Sequence, residues 1–208
     1  MSFIYLHGFA SSPNSAKAKY LRDRFSEIHI DLKIPDLNAG DFSSLTITRQ
    51  IQQVAAEFPI DNVTLIGSSL GGLTAAFLGE YPQVQRLVLL APAFGFVSHF
   101  LPSLGEETVQ RWQQEKYLMV HHYGEKRELP IHYDLISDAL QYQEEKLQRS
   151  VPTLIFHGIH DTVIPAQVSC VFARSRPWVE LIKLESDHAL SDVMAEIWLK
   201  IKMFCQLL

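Results

Sequence analysis

Apolar residues fall along this chain in two alternating patterns: short unbroken runs, and stretches where they return every three or four positions. Phe3-Ile-Tyr-Leu6 is the first run and reads as a strand buried on both faces, ending at His7-Gly8. Residues 11–15 supply a turn and helix caps, and from Ala16 to Phe25 the residues Tyr20, Leu21, Arg24 and Phe25 fall at helical spacing. Ile28 to Leu32 reads as a second strand. After a polar stretch with Pro35 and Gly40, Ile47, Ile51, Val54, Ala55 and Phe58 mark a second helix that Pro59 stops. Asp61 to Ile66 is a third strand, followed at once by a small-residue helix start from Gly72 to Leu78. Further strands are expected from Arg86 to Ala91, from Thr153 to Phe156 and from Val179 to Leu184. The clearest helix is the last, with Leu190, Val193, Met194, Ile197, Trp198, Ile201 and Cys205 along one face.

Strands alternating with helices predict an α/β fold: one mainly parallel sheet of about six strands, covered by helices on both faces. Such sheets bind ligands beyond the carboxyl ends of their strands. One segment breaks the alternation. About 60 residues separate Pro92 from Pro152, far more than a strand-helix-strand crossover needs. Val109 and Trp112 fit one helix there, and Leu135, Ile136, Ala139 and Leu140 another. Phe94, Phe96, Phe100, Tyr117, Tyr123 and Tyr133 make the segment aromatic. It reads as a mainly helical cap inserted at about residues 93–151 of a single domain spanning 1–208; the bland alternative is a crossover packed to one side.

Composition narrows the classes. The net charge of −5 is spread over interspersed signs, so neither a nucleic-acid groove nor a polybasic membrane patch is expected. No apolar run approaches the length of a membrane span. The opening residues lack the basic segment and long apolar run of a secretory leader. Cys170 and Cys205 fit no metal spacing and read as buried, reduced thiols, which favours a cytoplasmic location.

The candidate chemistry centres on Gly67-Ser68-Ser69-Leu70-Gly71, a G-x-S-x-G between a strand and a helix. A serine at such a corner is held in strained geometry with its hydroxyl clear of the sheet edge, and the flanking glycines let strand and helix approach. Ser69 is therefore the candidate nucleophile; Ser68 lacks glycines at the right offsets. A serine hydroxyl needs a base, and the base an orienting acid. Of nine histidines, His188 alone follows the last strand, while His157 and His160 lie with Asp161 in the loop after the fifth. The order Ser69, Asp161, His188 suits nucleophile, acid and base. Asp187 is a second candidate acid, although neighbouring side chains in a turn rarely face each other. Backbone N–H groups of Leu70, at the helix start, and of Phe9, after the first strand, are the candidate oxyanion donors. No metal or cofactor is expected: His121-His122 is adjacent rather than spaced by a helical turn, and no phosphate-binding glycine loop is present.

Tyr5-Leu-His-Gly-Phe-Ala-Ser-Ser-Pro-Asn-Ser-Ala-Lys-Ala18 resembles the opening of the small bacterial esterases of the YqiA-like group. The corner Gly67 to Gly72 and the late Asp187-His-Ala189 are similar to that group as well. The resemblance implies a compact α/β-hydrolase fold and cofactor-free serine esterase activity, with nucleophile, acid and base at Ser69, Asp161 and His188. The loop ending Glu185-Ser-Asp-His188 is also similar to that of acyl-protein thioesterases. The expected partner is thus a small ester or thioester. A ligand-binding receptor on the same scaffold is the alternative from another class.

Overall fold

The computed structural model describes residues 2–60 and 62–207. Its strands are β1 (Ser2–Leu6), β2 (Leu32–Lys33), β3 (Val63–Ser68), β4 (Val84–Leu90), β5 (Tyr117–His122), β6 (Arg127–His132), β7 (Thr153–Gly158) and β8 (Val179–Leu184). Six of them form the central sheet in the order β2-β1-β3-β4-β7-β8, with every neighbouring pair parallel. The helices are α1 (Ala16–Glu27), α2 (Ile47–Ala56), α3 (Leu70–Leu78), α4 (Phe96–Leu104), α5 (Glu106–Glu115), α6 (Asp134–Ala139), α7 (Gln167–Arg174) and α8 (Met194–Cys205).

Successive side chains of a strand point to opposite faces, and here both faces are dry. Phe3 and Tyr5 of β1, Val88 and Leu90 of β4, and Leu154 and Phe156 of β7 pack with α1 and α8. Ile4 and Leu6, Leu87 and Leu89, and Ile155 turn the other way, onto α2 and α3. β3 and β7 are buried at every position, and β1 and β4 are buried along 3–6 and 87–90, which explains why these stretches read as unbroken apolar runs. Local chemistry sets the helix starts: Ser15 caps α1 through the Ala18 N–H, and Thr46 caps α2 through the Arg49 N–H at 3.0 Å.

The segment between β4 and β7 contains α4, α5 and α6, the last two where the spacing of Val109, Trp112, Leu135 and Ile136 placed them. It also contains an antiparallel hairpin of β5 and β6, which the sequence reading did not place. Trp112 joins helix to hairpin, buried, with its Nε1–H donated to Ile131 O at 2.9 Å. Phe96, Trp112, Ile131 and Leu135 share the core with α2 and α3, so the segment lies on that side of the sheet.

Several expected boundaries move. The second strand is only Leu32–Lys33: Ile28 caps α1, and His29 sits in a turn with φ 58° rather than in a strand. Asp61, read as the start of the third strand, lies outside the described residues. Leu190 is buried but precedes α8, with φ 54°. Cys205 is buried, which pushes its thiol up to about 11, while Cys170 is only half-buried. Among the described residues no helix is long and apolar enough to cross a membrane.

Candidate active site

Parallel strands end on one edge of the sheet, and the loops of interest leave from that edge. Ser69 follows β3, Asp161 follows β7 and His188 follows β8, so three segments far apart in sequence meet there. His188 Nε2 lies 3.1 Å from Ser69 Oγ, and His188 Nδ1 lies 2.7 Å from Asp161 Oδ2.

Ser69 adopts φ 53° and ψ −120°, a strained conformation for a residue with a side chain. Its N–H donates to Leu90 O on β4, and its carbonyl accepts from Gly72, Leu73 and Ala93. These four bonds pin the corner. The glycines on either side are sterically required. A Cβ on Gly67 would fall 2.4 Å from Gly71 O, and one on Gly71 would fall 2.3 Å from Leu6 O. Both clashes are with backbone, so strand and helix could not stay at this separation. Ser68 is buried beside the Tyr5 hydroxyl and does not approach His188.

Asp161 has a side chain with no exposure, and its carboxylate is saturated with donors. Oδ1 accepts from the N–H groups of Val163 and Ile164, each at 2.8 Å. Oδ2 faces His188 Nδ1 and, at 3.2 Å, His157 Nε2. Burial alone would raise the carboxyl pKa. The hydrogen bonds from His157, His188 and Ile164 outweigh it and hold the group well below the usual carboxylate range. His157 was grouped with the acid loop by sequence alone, without a role. Its place four residues before Asp161, at the end of a buried strand, was the available signal.

Asp187, the other carboxylate considered, is exposed and turned back on its own loop, accepting from Ala189 N–H at 2.8 Å. The loop is fixed from outside as well. Lys17 Nζ donates to Ala189 O at 3.0 Å, and Ser186 Oγ is bonded to Asp192. Gly158 lets this loop cross the end of β7, since a Cβ there would fall 2.3 Å from Ser186 O.

Leu70 opens α3, so its N–H has no carbonyl within the helix to meet. The Phe9 N–H has no acceptor among the described residues. The loop carrying Phe9 abuts the serine: a Cβ on Gly8 would lie 3.3 Å from Ser69 Cβ. Four hydrogen bonds hold that loop. His7, fully buried, accepts the Leu37 N–H at Nε2 (3.0 Å) and donates from Nδ1 to Gly8 O (3.0 Å). Asn38 Nδ2 donates to Ser11 O, and the Tyr123 N–H of the hairpin turn donates to Ala10 O at 2.8 Å. Phe9 itself packs against Phe42 and Phe100, with ring centroids at 5.5 and 5.6 Å. A cleft of about 410 Å³ between α4 and α7 is lined by Phe94, His99, Val168 and Phe172, and by none of Ser69, Asp161 and His188.

Parallel sheet, serine corner and converging loops are those of the α/β-hydrolase fold, and solved structures agree. The chain superposes on mouse alpha/beta hydrolase domain-containing protein 10 with a TM-score of 0.81 at 20% identity, over 99% of this chain and 89% of that one. Est1E of Butyrivibrio proteoclasticus, with ferulic acid bound, gives 0.78 at 17% identity, over 97% and 87%. At these identities the likeness is one of fold. Within that fold the chain belongs to the family described as Uncharacterised protein family (UPF0227), whose model matches residues 2–206. Among curated proteins, phospholipase A1 4 of Polistes dominula is 34% identical over a stretch covering 41% of this chain. The chain spans only 34% of that relative's length.

Proposed function

We infer that this chain is a serine hydrolase cleaving carboxylic esters through an acyl-enzyme. The observation that carries the reading is the unbroken line from Ser69 Oγ through the His188 ring to a buried, fully bonded Asp161 carboxylate. His188 Nε2 takes the hydroxyl proton as Ser69 Oγ bonds to the acyl carbon. Collapse of the tetrahedral intermediate breaks the ester bond, and the same proton leaves with the alcohol. A water then repeats the sequence, and the carboxylic acid departs. Asp161 holds the proton on Nδ1, so that Nε2 is the basic nitrogen, and favours the imidazolium. The Phe9 and Leu70 N–H groups receive the oxyanion; each such donor is worth about 10²–10³ in rate.

The segment between β4 and β7 is the cap in this reading, since Phe100 of α4 packs on Phe9 beside the serine. Its aromatic surface suits an apolar acyl or alcohol portion. Names of similar proteins, a phospholipase A1 and an esterase of Pyrococcus furiosus, support an ester as substrate. A thioester would pass through the same acyl-enzyme, and a panel of aryl esters and acyl thioesters of graded length ranks the two. The deciding experiment is Ser69→Ala, which should abolish both p-nitrophenyl acetate turnover and fluorophosphonate labelling. Retention of both sinks the assignment.

A further inference from the structure

The acid of this relay carries a second imidazole. His157, at the end of β7, is fully buried, and its Nε2 lies 3.2 Å from Asp161 Oδ2, the oxygen that also faces His188. Its partners fix its tautomer. Nε2 also lies 2.9 Å from Ile164 O, and a carbonyl oxygen only accepts, so Nε2 carries the proton and shares it between Ile164 O and Asp161 Oδ2. Nδ1 of the neutral ring then accepts, and Ser169 Oγ, buried on α7 at 2.8 Å, is its donor. Ring plane and proton position are therefore set together by Ile164 O within the acid loop and by Ser169 on α7.

We propose that His157 is a positioning residue for the reaction: its Nε2–H, oriented by Ser169, holds the Asp161 carboxylate in the plane that serves His188. This rests on the reading of Ser69, His188 and Asp161 as the reacting groups. Oδ1 is anchored by two backbone N–H groups of its own loop, but Oδ2 has only the two imidazoles. Without the His157 proton, Oδ2 is free to swing about the Oδ1 anchor. More of the carboxylate charge also falls on His188 alone, which favours the imidazolium. His157 is buried away from substrate, so both effects act through the base. The other charged groups beside the pair, Lys17 from α1 and Asp187 on the base loop, are left in place.

The test compares His157→Leu, which removes the donor, with His157→Gln, which keeps an N–H near the same position. Both are assayed on p-nitrophenyl acetate from about pH 5 to pH 9. His157→Leu is expected to lower kcat about 10- to 100-fold with KM within about twofold. It should also move the acid limb of kcat/KM upward by about half a pH unit, and His157→Gln should restore most of both. A folded His157→Leu protein with wild-type kcat and an unmoved acid limb overturns the proposal. If that variant does not fold, His157→Phe decides, since it keeps a ring in the same space but has no donor. It should move the limb in the same direction, and an unmoved limb overturns the proposal equally. Ser69→Ala is run alongside: turnover there removes the reacting set itself, whereas its loss with an unaffected His157 series removes only the positioning role.

Discussion

Asp161→Asn changes one atom and sets two requirements against each other. The two backbone N–H groups at Oδ1 demand an acceptor, so the amide oxygen takes that place and the NH₂ turns toward the imidazoles. It then faces His188 Nδ1, 2.7 Å away in the wild type, where a second proton already sits. The ring is relieved by moving its proton to Nε2, and a protonated Nε2 cannot take the proton of Ser69 Oγ. An acid-to-amide change of this kind costs about 10⁴ in kcat where the tautomer is reversed. Stability falls too: two hydrogen bonds to a charged acceptor are lost, at about 1.5–3 kcal/mol each. Relief of a buried charge returns part of this. A net loss of roughly 3 kcal/mol, or about 6–12 °C in Tm for a chain of this size, is expected.

The pH dependence carries the sign. The folded-state pKa of Asp161 lies below its ordinary 3.8, so its contribution is fully present above that value and is lost as pH falls through the folded pKa. Wild type should therefore lose its stability advantage over Asp161→Asn as pH drops below about 4. Stopped-flow p-nitrophenyl acetate bursts and urea midpoints at several pH values read both effects. A variant within tenfold of wild-type kcat would show that the carboxylate does not set the tautomer. An advantage undiminished in acid would show that the charge is not what those donors recognise.

Two further outcomes follow from packing and charge. Gly71→Ala places a Cβ 2.3 Å from Leu6 O and 2.4 Å from His7 O, so α3 must move off β1. A loss of about 3 kcal/mol or more and of fluorophosphonate labelling is expected, and a chemical denaturation series with near-wild-type labelling would refute it. Burial pushes the Lys17 ammonium down to about 8 against the pull of Asp187 and Asp161. Its folded state thus binds fewer protons than the unfolded chain between about pH 8 and 10.5, and stability relative to Lys17→Met should rise across that window. After solvent screening the gain is roughly 1 kcal/mol, about 2–4 °C in thermal melts; a flat or falling difference contradicts the burial argument.

Unbroken apolar runs made the central strands readable, because a strand covered on both faces has no polar alternation to blur it. Ser69 was readable because the glycines around it answer a steric demand that no other residue meets. The hairpin was not. Tyr117, Met119 and His121 alternate with Leu118 and Val120 as a half-exposed strand should, but Pro130 in β6 argues against a strand, and a ribbon tolerates proline because both its strands are edges. The second strand was overread at Ile28 and Ile30, which pack as side chains of a turn against the α1 core. His157 carried no motif of its own; its meaning lies in Ser169 and Ile164, whose position depends on how the acid loop folds back.

On the proposed function, the bond from Tyr123 to Ala10 ties the segment that would meet the substrate to the loop that carries Phe9, so the two are not separable modules. Trading the hairpin for one of different length removes the amide that steadies the exit of the first strand, two residues from Gly8. Such a chimera loses speed toward all substrates alike before it gains any new preference.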